Sequence, residues 1–289
     1  MNTSEMFRLK KLVYSFEVFP PKKTTSIDTI YHTLKGLPSL NPDFISVTYG
    51  AGGSAVQKNK TSEIASLIKS EYKIEPVSHL TCVGCEQEDI RAFLDHLKAS
   101  GVENILALRG DETAGMAASQ SFRHACDLMQ YIREYDPSIN ILGACYPEGH
   151  CDAPDLNTDI QYLKYKLEAG ATHLISQLFF SNKHYYDFIN RIDQAGIRIP
   201  ISAGIMPIVS KSQIERVVTM CGASLPVRFS RMISKYADDA ASLKAAGLDF
   251  AINQIYDLVG NGIRGIHLYT MNSVENATFI TESISDLRE

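Results

Sequence analysis

The 289-residue sequence has no tryptophan, only six cysteines and no long uninterrupted apolar run. So few cysteines exclude a disulfide-stapled scaffold and favour a reducing compartment. A transmembrane helix needs about 20 mostly apolar residues, so we expect no membrane span and no membrane partner. Because no secretory apolar segment follows the basic residues near the N-terminus, the expected location is cytoplasmic.

An excess of basic charge is also missing, since 28 Lys and Arg stand against 33 Asp and Glu, a net charge of -5. Nucleic-acid-binding domains usually carry the opposite balance, so we expect small-molecule substrates and no nucleic acid. Hydrophobic residues make up 45% and charged residues 21% of the chain. These are ordinary globular values and exclude a disordered or coiled-coil protein.

Several common catalytic motifs are absent: the phosphate-binding loop G-x-x-x-x-G-K-[ST], the zinc motif H-E-x-x-H and the nucleophile elbow G-x-S-x-G. One G-x-G-x-x-A run, at 50–55, follows the second predicted strand rather than the first. An open doubly wound sheet with a dinucleotide fingerprint is therefore the weaker alternative fold. The single C-x-x-C, at 82–85, could serve redox chemistry or half a zinc site. Without a second pair, we expect loop thiols and no metal.

Eight short runs rich in β-branched residues predict strands, and amphipathic segments between them predict helices. Successive strands start about thirty residues apart, and the last interval is about twice as long. This alternation predicts an α/β fold, a (β/α)8 TIM barrel. Extra helices are expected before the last strand, at 225–234 and 238–258, and a single catalytic domain over 1–289. The predicted strands start near residues 14, 44, 75, 104, 140, 173, 199 and 263.

Polar residues stand at the carboxyl end of every predicted strand, where TIM barrels place their active sites. Glu17 lies within an apolar run and is expected to face the barrel or its mouth. Burial favours the protonated form of a carboxyl group, which a general acid requires. The alternative for Glu17 is a structural ion pair with a lysine or arginine. The eighth strand brings His267 to the same end.

Other strand-end residues also have plainer interpretations. Asp111 follows Arg109 on a glycine turn and could form a loop hydrogen bond or pair with that arginine. His79 and His150 could be histidines of the core or a loop. The Gln177 amide could read a heterocycle or satisfy the backbone.

Together these strand ends resemble the methylenetetrahydrofolate reductase family of the bacterial, single-domain type. The resemblance implies a flavoprotein barrel that holds FAD without a Rossmann fingerprint. It further implies reduction of 5,10-methylenetetrahydrofolate to 5-methyltetrahydrofolate with NAD(P)H, in a ping-pong scheme through FAD. Such an oxidoreductase would serve one-carbon metabolism and methionine biosynthesis, as a homo-oligomer. The matching segments are SFEVFPPK (15–22), DFISVTYGAGGS (43–54), SHLTC (78–82), NILALRGD (104–111), YPEGH (146–150), ISQLFF (175–180), GIMPI (204–208) and HLYTMN (267–272).

The resemblance also implies roles for individual residues. Glu17 matches the general acid, and Asp111 the aspartate near flavin and folate. Gln177 and Gln213 match substrate-binding residues. The positions implied for FAD are Thr48, Tyr49, Ala51, His79, Arg109, Gly110, Asp111, Ala125, Tyr146, His150, Ala153, Asp159 and Lys166.

Three positions depart from the family pattern: Ser273 replaces an arginine that contacts folate, and Tyr162 and Tyr165 replace asparagine and arginine. Two other classes of function stay open. One is a pterin-binding methyl-transfer barrel without flavin, and the other is a reductase subunit fed by a partner electron carrier. A sugar-phosphate lyase is disfavoured because no predicted strand carries a Schiff-base lysine at its end. The sequence leaves NADH and NADPH equally open as donors.

Overall fold

The computed structural model describes residues 1–21, 28–49, 55–111, 119, 121–221 and 223–289. Within these ranges, eight parallel strands close into a barrel in which each strand pairs with the next and the eighth pairs with the first. The predicted TIM barrel is therefore confirmed. The strands are β1 (Val13–Val18), β2 (Phe44–Val47), β3 (Glu75–Thr81), β4 (Asn104–Leu108), β5 (Asn140–Cys145), β6 (Ala171–Ser176), β7 (Ile201–Ile205) and β8 (Gly265–Tyr269).

Helices surround the barrel and fill the crossovers between strands. The long last interval holds three of them, which confirms the extra helices predicted before β8. Among the described residues, no helix combines the length and apolar character needed to cross a bilayer. The helices are α1 (Thr3–Leu9), α2 (Asp28–Gly36), α3 (Ala55–Ser70), α4 (Gln87–Ala99), α5 (Ala125–Tyr135), α6 (Leu156–Glu168), α7 (Asn182–Gln194), α8 (Lys211–Cys221), α9 (Val227–Lys235), α10 (Ala240–Gly260) and α11 (Val274–Ser283), with 3-10 turns at Leu37–Leu40 and Ser285–Leu287.

Strand β1 shows how the sequence divides its side chains between two faces. Tyr14, Phe16 and Val18 belong to the main apolar cluster between the barrel and its helices. Ser15 and Glu17 alternate with them and contact residues of other strands inside the barrel. Because successive strand side chains point to opposite faces, one short segment supplies both the packing layer and the polar interior.

The N-terminal helix α1 was not predicted from the sequence. Its seven residues are too few to display helical periodicity. Met6 and Phe7 are buried and pack with Val13 and Phe44 in an apolar cluster at the amino ends of the strands. Helix α1 therefore covers the end of the barrel opposite the predicted active site.

Candidate active site

The carboxyl ends of the strands form one mouth, and the predicted site residues come from the strands and segments around it. Ala51, which is predicted to bind FAD, lies outside the described residues. The remaining residues lie on β1 (Glu17), after β2 (Thr48, Tyr49), on β3 (His79), after β4 (Arg109, Gly110, Asp111), on α5 (Ala125), after β5 (Tyr146, His150, Ala153), on α6 (Asp159, Lys166), after β6 (Gln177) and on α8 (Gln213).

Glu17 lies near the end of β1 with 18% of its side chain exposed. Its Oε2 is 3.5 Å from the Ser46 hydroxyl and 3.6 Å from the Nε2 atoms of both His79 and His267. No lysine or arginine among the described residues lies within ion-pair distance of Glu17. The carboxyl group is therefore surrounded by hydroxyl and imidazole groups and remains open to the mouth.

The His79 ring is buried beside Glu17. Burial lowers the pKa of His79 to about 4, although the Glu17 carboxylate opposes this shift, and the ring is uncharged at neutral pH. Its Nε2 has no hydrogen-bond partner within the described part of the chain. Native proteins rarely leave such an atom unsatisfied, so this nitrogen is a candidate ligand contact.

The turn after β4 requires glycine at position 110. Gly110 has φ +88°, and a Cβ atom built there would lie 2.7 Å from Val83 Cγ1 and 3.0 Å from Thr81 Cβ. This backbone positions Arg109, which donates a 2.7 Å hydrogen bond to Asp152 after β5. The guanidinium lowers the pKa of Asp152. The pairing ties the β4 loop to the β5 loop.

Asp111 follows this turn and is exposed. Burial raises the pKa of Tyr146, and the charges of Asp159 and then of Asp111 contribute to that rise. The acidic side chain of Asp111 therefore lies close enough to the aromatic group after β5 to act on it electrostatically. The His150 ring meets the Tyr146 ring edge to face, with centroids 4.6 Å apart.

Lys166 on α6 turns inward instead of forming a solvated face. Its ammonium donates a 2.7 Å hydrogen bond to the Ala144 carbonyl and lies 5.7 Å from the centre of the Tyr146 ring. Burial lowers the pKa of Lys166. No carboxylate oxygen among the described residues lies within 4.0 Å of the ammonium. Asp159, about two turns earlier on α6, is buried. This burial raises the pKa of Asp159, although the charge of Lys166 opposes the shift.

The two glutamines have the same internal arrangement. The Gln177 Oε1 accepts a 2.9 Å hydrogen bond from Leu178 N, and the Gln213 Oε1 accepts a 2.8 Å bond from Val209 N. Each amide oxygen is thus used within its own loop. The NH₂ groups are the parts of these side chains available to a ligand.

The three positions that depart from the family pattern have local contacts. The Ser273 hydroxyl caps α11 by accepting a 3.3 Å hydrogen bond from Asn276 N. Tyr162 and Tyr165 are exposed on α6, with ring centroids 6.4 Å apart. Cys82 and Cys85 are buried, and their thiols donate to backbone carbonyls.

The sequence reasoning missed Ser15 and Ser46, and it gave no role to His267. The three residues join Glu17 in a buried hydrogen-bonded group. A signal was present, because Ser15 and Glu17 alternate with apolar residues on β1 and therefore share its inner face. The matching positions on β2 and β8 depended on a strand register that the sequence does not show.

A closed (β/α)8 barrel with polar side chains collected at the carboxyl ends of its strands has the architecture of TIM-barrel enzymes. Residues 3–285 match the sequence profile described as methylenetetrahydrofolate reductase. The chain belongs to the methylenetetrahydrofolate reductase family, which confirms the resemblance.

Curated relatives support this membership. The chain is 33% identical over 285 residues to methylenetetrahydrofolate reductase 1 of Schizosaccharomyces pombe, covering 97% of this chain and 47% of that protein. It is 32% identical over 270 residues to 5,10-methylenetetrahydrofolate reductase of Escherichia coli K12, covering 93% and 90%. The chain spans about half the length of the fungal and plant relatives and nearly the full length of the bacterial one.

A solved structure shares the fold at much lower sequence identity. It is an uncharacterized protein from Clostridium thermocellum that binds two copies of 5-methyl-5,6,7,8-tetrahydrofolic acid. The TM-score is 0.62 at 13% identity, with 98% of this chain and 96% of the other covered. At that identity the likeness supports the barrel architecture alone.

Proposed function

We propose that this protein reduces 5,10-methylenetetrahydrofolate to 5-methyltetrahydrofolate with NAD(P)H, in a ping-pong scheme through FAD. The observation that carries the proposal is the Glu17 carboxyl group, held inside the mouth and partly exposed in a chain of this family. We further propose a cytoplasmic homo-oligomer that serves one-carbon metabolism and methionine biosynthesis.

The substrate chemistry explains the need for Glu17. The methylene carbon bridges N5 and N10 and accepts hydride poorly while the ring is closed. Protonation of N10 opens the ring and leaves an iminium cation at N5. Glu17 supplies that proton as general acid. Its partial exposure allows the folate to reach the carboxyl group.

Asp111, Gln177 and Gln213 would act on the same folate. The negative charge of Asp111 stabilises a cationic iminium, because electrostatic stabilisation is strongest where charge develops. The NH₂ groups of Gln177 and Gln213 can donate to acceptor atoms of the substrate. Their amide oxygens are already held by the backbone, which fixes the orientation of each donor.

The residues around Lys166 fit a flavin dinucleotide. A part-buried ammonium that has a carbonyl partner, and no carboxylate oxygen within 4.0 Å among the described residues, suits a diphosphate. Arg109 offers a second cation on the neighbouring loop, and Tyr146 and His150 offer aromatic faces. When bound, FAD supplies the carrier that accepts hydride from a nicotinamide and donates it to carbon. The residues proposed to hold it are Thr48, Tyr49, Ala51, His79, Arg109, Gly110, Asp111, Ala125, Tyr146, His150, Ala153, Asp159 and Lys166.

Cofactor binding is tested by titrating the purified protein with FAD and following flavin fluorescence. We expect saturable binding and a yellow protein. Lys166→Met should raise the dissociation constant about 30-fold, since a charge-assisted contact to phosphate is lost. Lys164→Met on the same helix serves as the matched control and should change it less than about twofold. A protein that stays colourless with excess FAD would favour a flavin-free pterin barrel.

The two half-reactions are measured separately under anaerobic stopped flow. We expect NADH or NADPH to bleach the flavin and methylenetetrahydrofolate to restore its colour. The faster nicotinamide identifies the donor. If neither nicotinamide reduces the flavin while dithionite-reduced protein still reduces the folate, the protein is a subunit fed by another electron carrier. If reduced flavin fails to react with the folate, the proposed reaction is wrong.

A further inference from the structure

One acidic residue near the mouth, Glu148 in the segment YPEGH, has no role in the proposed reaction. Gly149 N donates a 3.0 Å hydrogen bond to Tyr146 O, which closes a turn with Pro147 and Glu148 at its centre. Proline at this position restricts the backbone of the turn, and Gly149 adopts φ +89°. The backbone therefore holds the turn, and the Glu148 side chain is left to contact other segments.

The Glu148 carboxylate joins two segments that lie far along the chain. Its Oε2 is 3.1 Å from His184 Nδ1 on α7. Ser224 N, between α8 and α9, donates to both carboxylate oxygens, at 3.1 Å and 3.3 Å. The Ser224 hydroxyl is also 3.3 Å from His184 Nδ1. Because a carboxylate only accepts, His184 Nδ1 carries the hydrogen of its contact with Glu148. Glu148, His184 and Ser224 are called the mouth clasp below.

The mouth clasp fixes the carboxyl end of helix α8. This helix ends at Cys221, and Ser224 follows it directly in the connection to α9. At the other end of α8, Gln213 accepts a 2.8 Å hydrogen bond from Val209 N after β7. Helix α8 is thus bound at both ends, to the segment after β7 and to the turn after β5.

The apolar layer beneath α8 reaches both glutamines that are proposed to bind folate. Ile214 and Val217 of α8 are buried in one cluster with Leu178 after β6. Leu178 N donates to Gln177 Oε1, and Ile214 directly follows Gln213 in the sequence. A displacement of α8 would therefore change the relative position of the two glutamine NH₂ groups.

The mouth clasp positions α8 rather than the turn after β5. The turn keeps its own backbone hydrogen bond, and Lys166 on α6 holds Ala144 O just before it. In the described part of the chain, Glu148 and His184 are the partners that bind Ser224 to other segments. Loss of the Glu148 carboxylate should therefore loosen α8 and leave the turn in its present shape.

We propose that Glu148 is a positioning residue that holds α8, and with it Gln213, where they bind folate. This inference rests on the proposed function of the protein. Glu148 lies between Tyr146 and His150, two residues proposed to hold FAD. The mouth clasp therefore also fixes the folate-binding helix relative to the flavin-binding segment.

Asp136 provides a matched control at the opposite end of β5. Its carboxylate accepts a 3.0 Å hydrogen bond from Ser138 N and a 2.7 Å bond from the Lys98 ammonium. It thus binds a backbone N–H and a basic side chain, as Glu148 does. Among the described residues, none of its hydrogen bonds reaches α8.

The first test separates folate binding from flavin reduction in the FAD-loaded enzyme. In Glu148→Ala, the KM for methylenetetrahydrofolate should rise about tenfold, whereas kcat and flavin reduction by nicotinamide should change less than about twofold. Glu148→Gln keeps an oxygen that accepts from Ser224 N, so its KM should rise less than about threefold. Asp136→Ala should leave the KM unchanged. A normal KM in Glu148→Ala, or an equal rise in Asp136→Ala, would overturn the proposal.

Hydrogen exchange followed by mass spectrometry tests the hold on α8 without turnover. In FAD-loaded Glu148→Ala, the amides of 211–221 should exchange about tenfold faster than in the wild type, and those of α6 should not change. Unchanged exchange in 211–221 would refute the role of Glu148. If the wild-type enzyme fails to reduce methylenetetrahydrofolate at all, the proposed function is wrong. An active wild type whose Glu148→Ala variant has a normal KM and normal exchange rejects the inference alone.

Discussion

Among the buried histidines of the barrel, His173 and His267 have different partners, and the difference separates structure from chemistry. His173 connects Ser202 to Thr3 on the helix that covers the amino end of the barrel. His267 connects Ser15 to Ser46, and Ser46 contacts Glu17 at the mouth. TIM barrels keep stability residues at the amino ends of their strands and reacting groups at the carboxyl ends. Here one kind of hydrogen-bonded pair serves both ends.

Phe44 lies between the two imidazoles. Its ring is perpendicular to His173 at 5.8 Å and stacked on His267 at 5.7 Å. No hydrogen bond among the described residues joins the partners of one histidine to those of the other. Removing a hydrogen bond from one group should therefore have little effect on the hydrogen bonds of the other.

The largest expected effect comes from changing Glu17 at the mouth of the barrel. Glu17→Gln cannot donate a proton, so folate reduction should slow about 1000-fold, within the usual range for loss of a general acid. Reduction of the flavin by nicotinamide needs no such acid and should change less than about threefold. Stopped-flow measurement of both half-reactions checks this, and an equal loss in both would contradict the role of Glu17.

An intermediate effect, on stability, is expected when the pH is lowered. Burial lowers the pKa of His79 to about 4 and that of His173 to about 3, from 6.5 when exposed. Below pH 6.5 these histidines bind protons in the unfolded chain but not in the folded chain. The free energy of unfolding therefore falls as the pH drops from about 6.5 to 4. Each histidine contributes at most about 1.4 kcal/mol per pH unit.

Urea unfolding at several pH values measures this dependence. His173→Gln removes one of the two titrating groups, so its stability should depend less steeply on pH than that of the wild type. Identical slopes in the two proteins would show that His173 does not contribute to acid sensitivity.

The smallest effect is expected at the amino end of the barrel. Thr3→Val removes the hydroxyl that contacts His173 and accepts from Asn140 Nδ2 at 3.2 Å. Leaving these buried groups unsatisfied should cost about 1–2 kcal/mol of unfolding free energy. Activity per folded molecule should stay constant. A loss of folate reduction without a loss of stability would mean that the hydrogen-bonded groups around His173 and His267 are coupled.

Much of the fold was predictable because its signals are local. Strand β4 was predicted to begin at Asn104 and does so, and the three helices before β8 follow from an unusually long interval. Helix α1 could not be predicted from periodicity, since it is short and is stabilised by contacts with distant strands. Thr3 N, for example, donates to Asn104 Oδ1 across 101 positions of sequence.

The parts of the candidate site that depend only on the position of a residue in a strand were predictable from the sequence. The parts that depend on strand register or on helix rotation were not. Glu17 was placed at the mouth by its strand and its alternation. The contact of Glu17 with Ser46 depends on strand register, because the two residues are paired across β1 and β2. The inward direction of Lys166 likewise depends on how α6 rotates against the barrel, which the sequence does not show.

The apolar cluster beneath Phe44, with Met6 and Phe7 of α1 at its base, has a consequence for the order of events. In the described part of the chain, buried side chains of this cluster fill the amino end of the barrel. The two bulky reactants of the proposed reaction would therefore both enter and leave by the mouth. If both occupy the same place there, they bind one after the other, and the proposed FAD would hold the electrons between the two binding events.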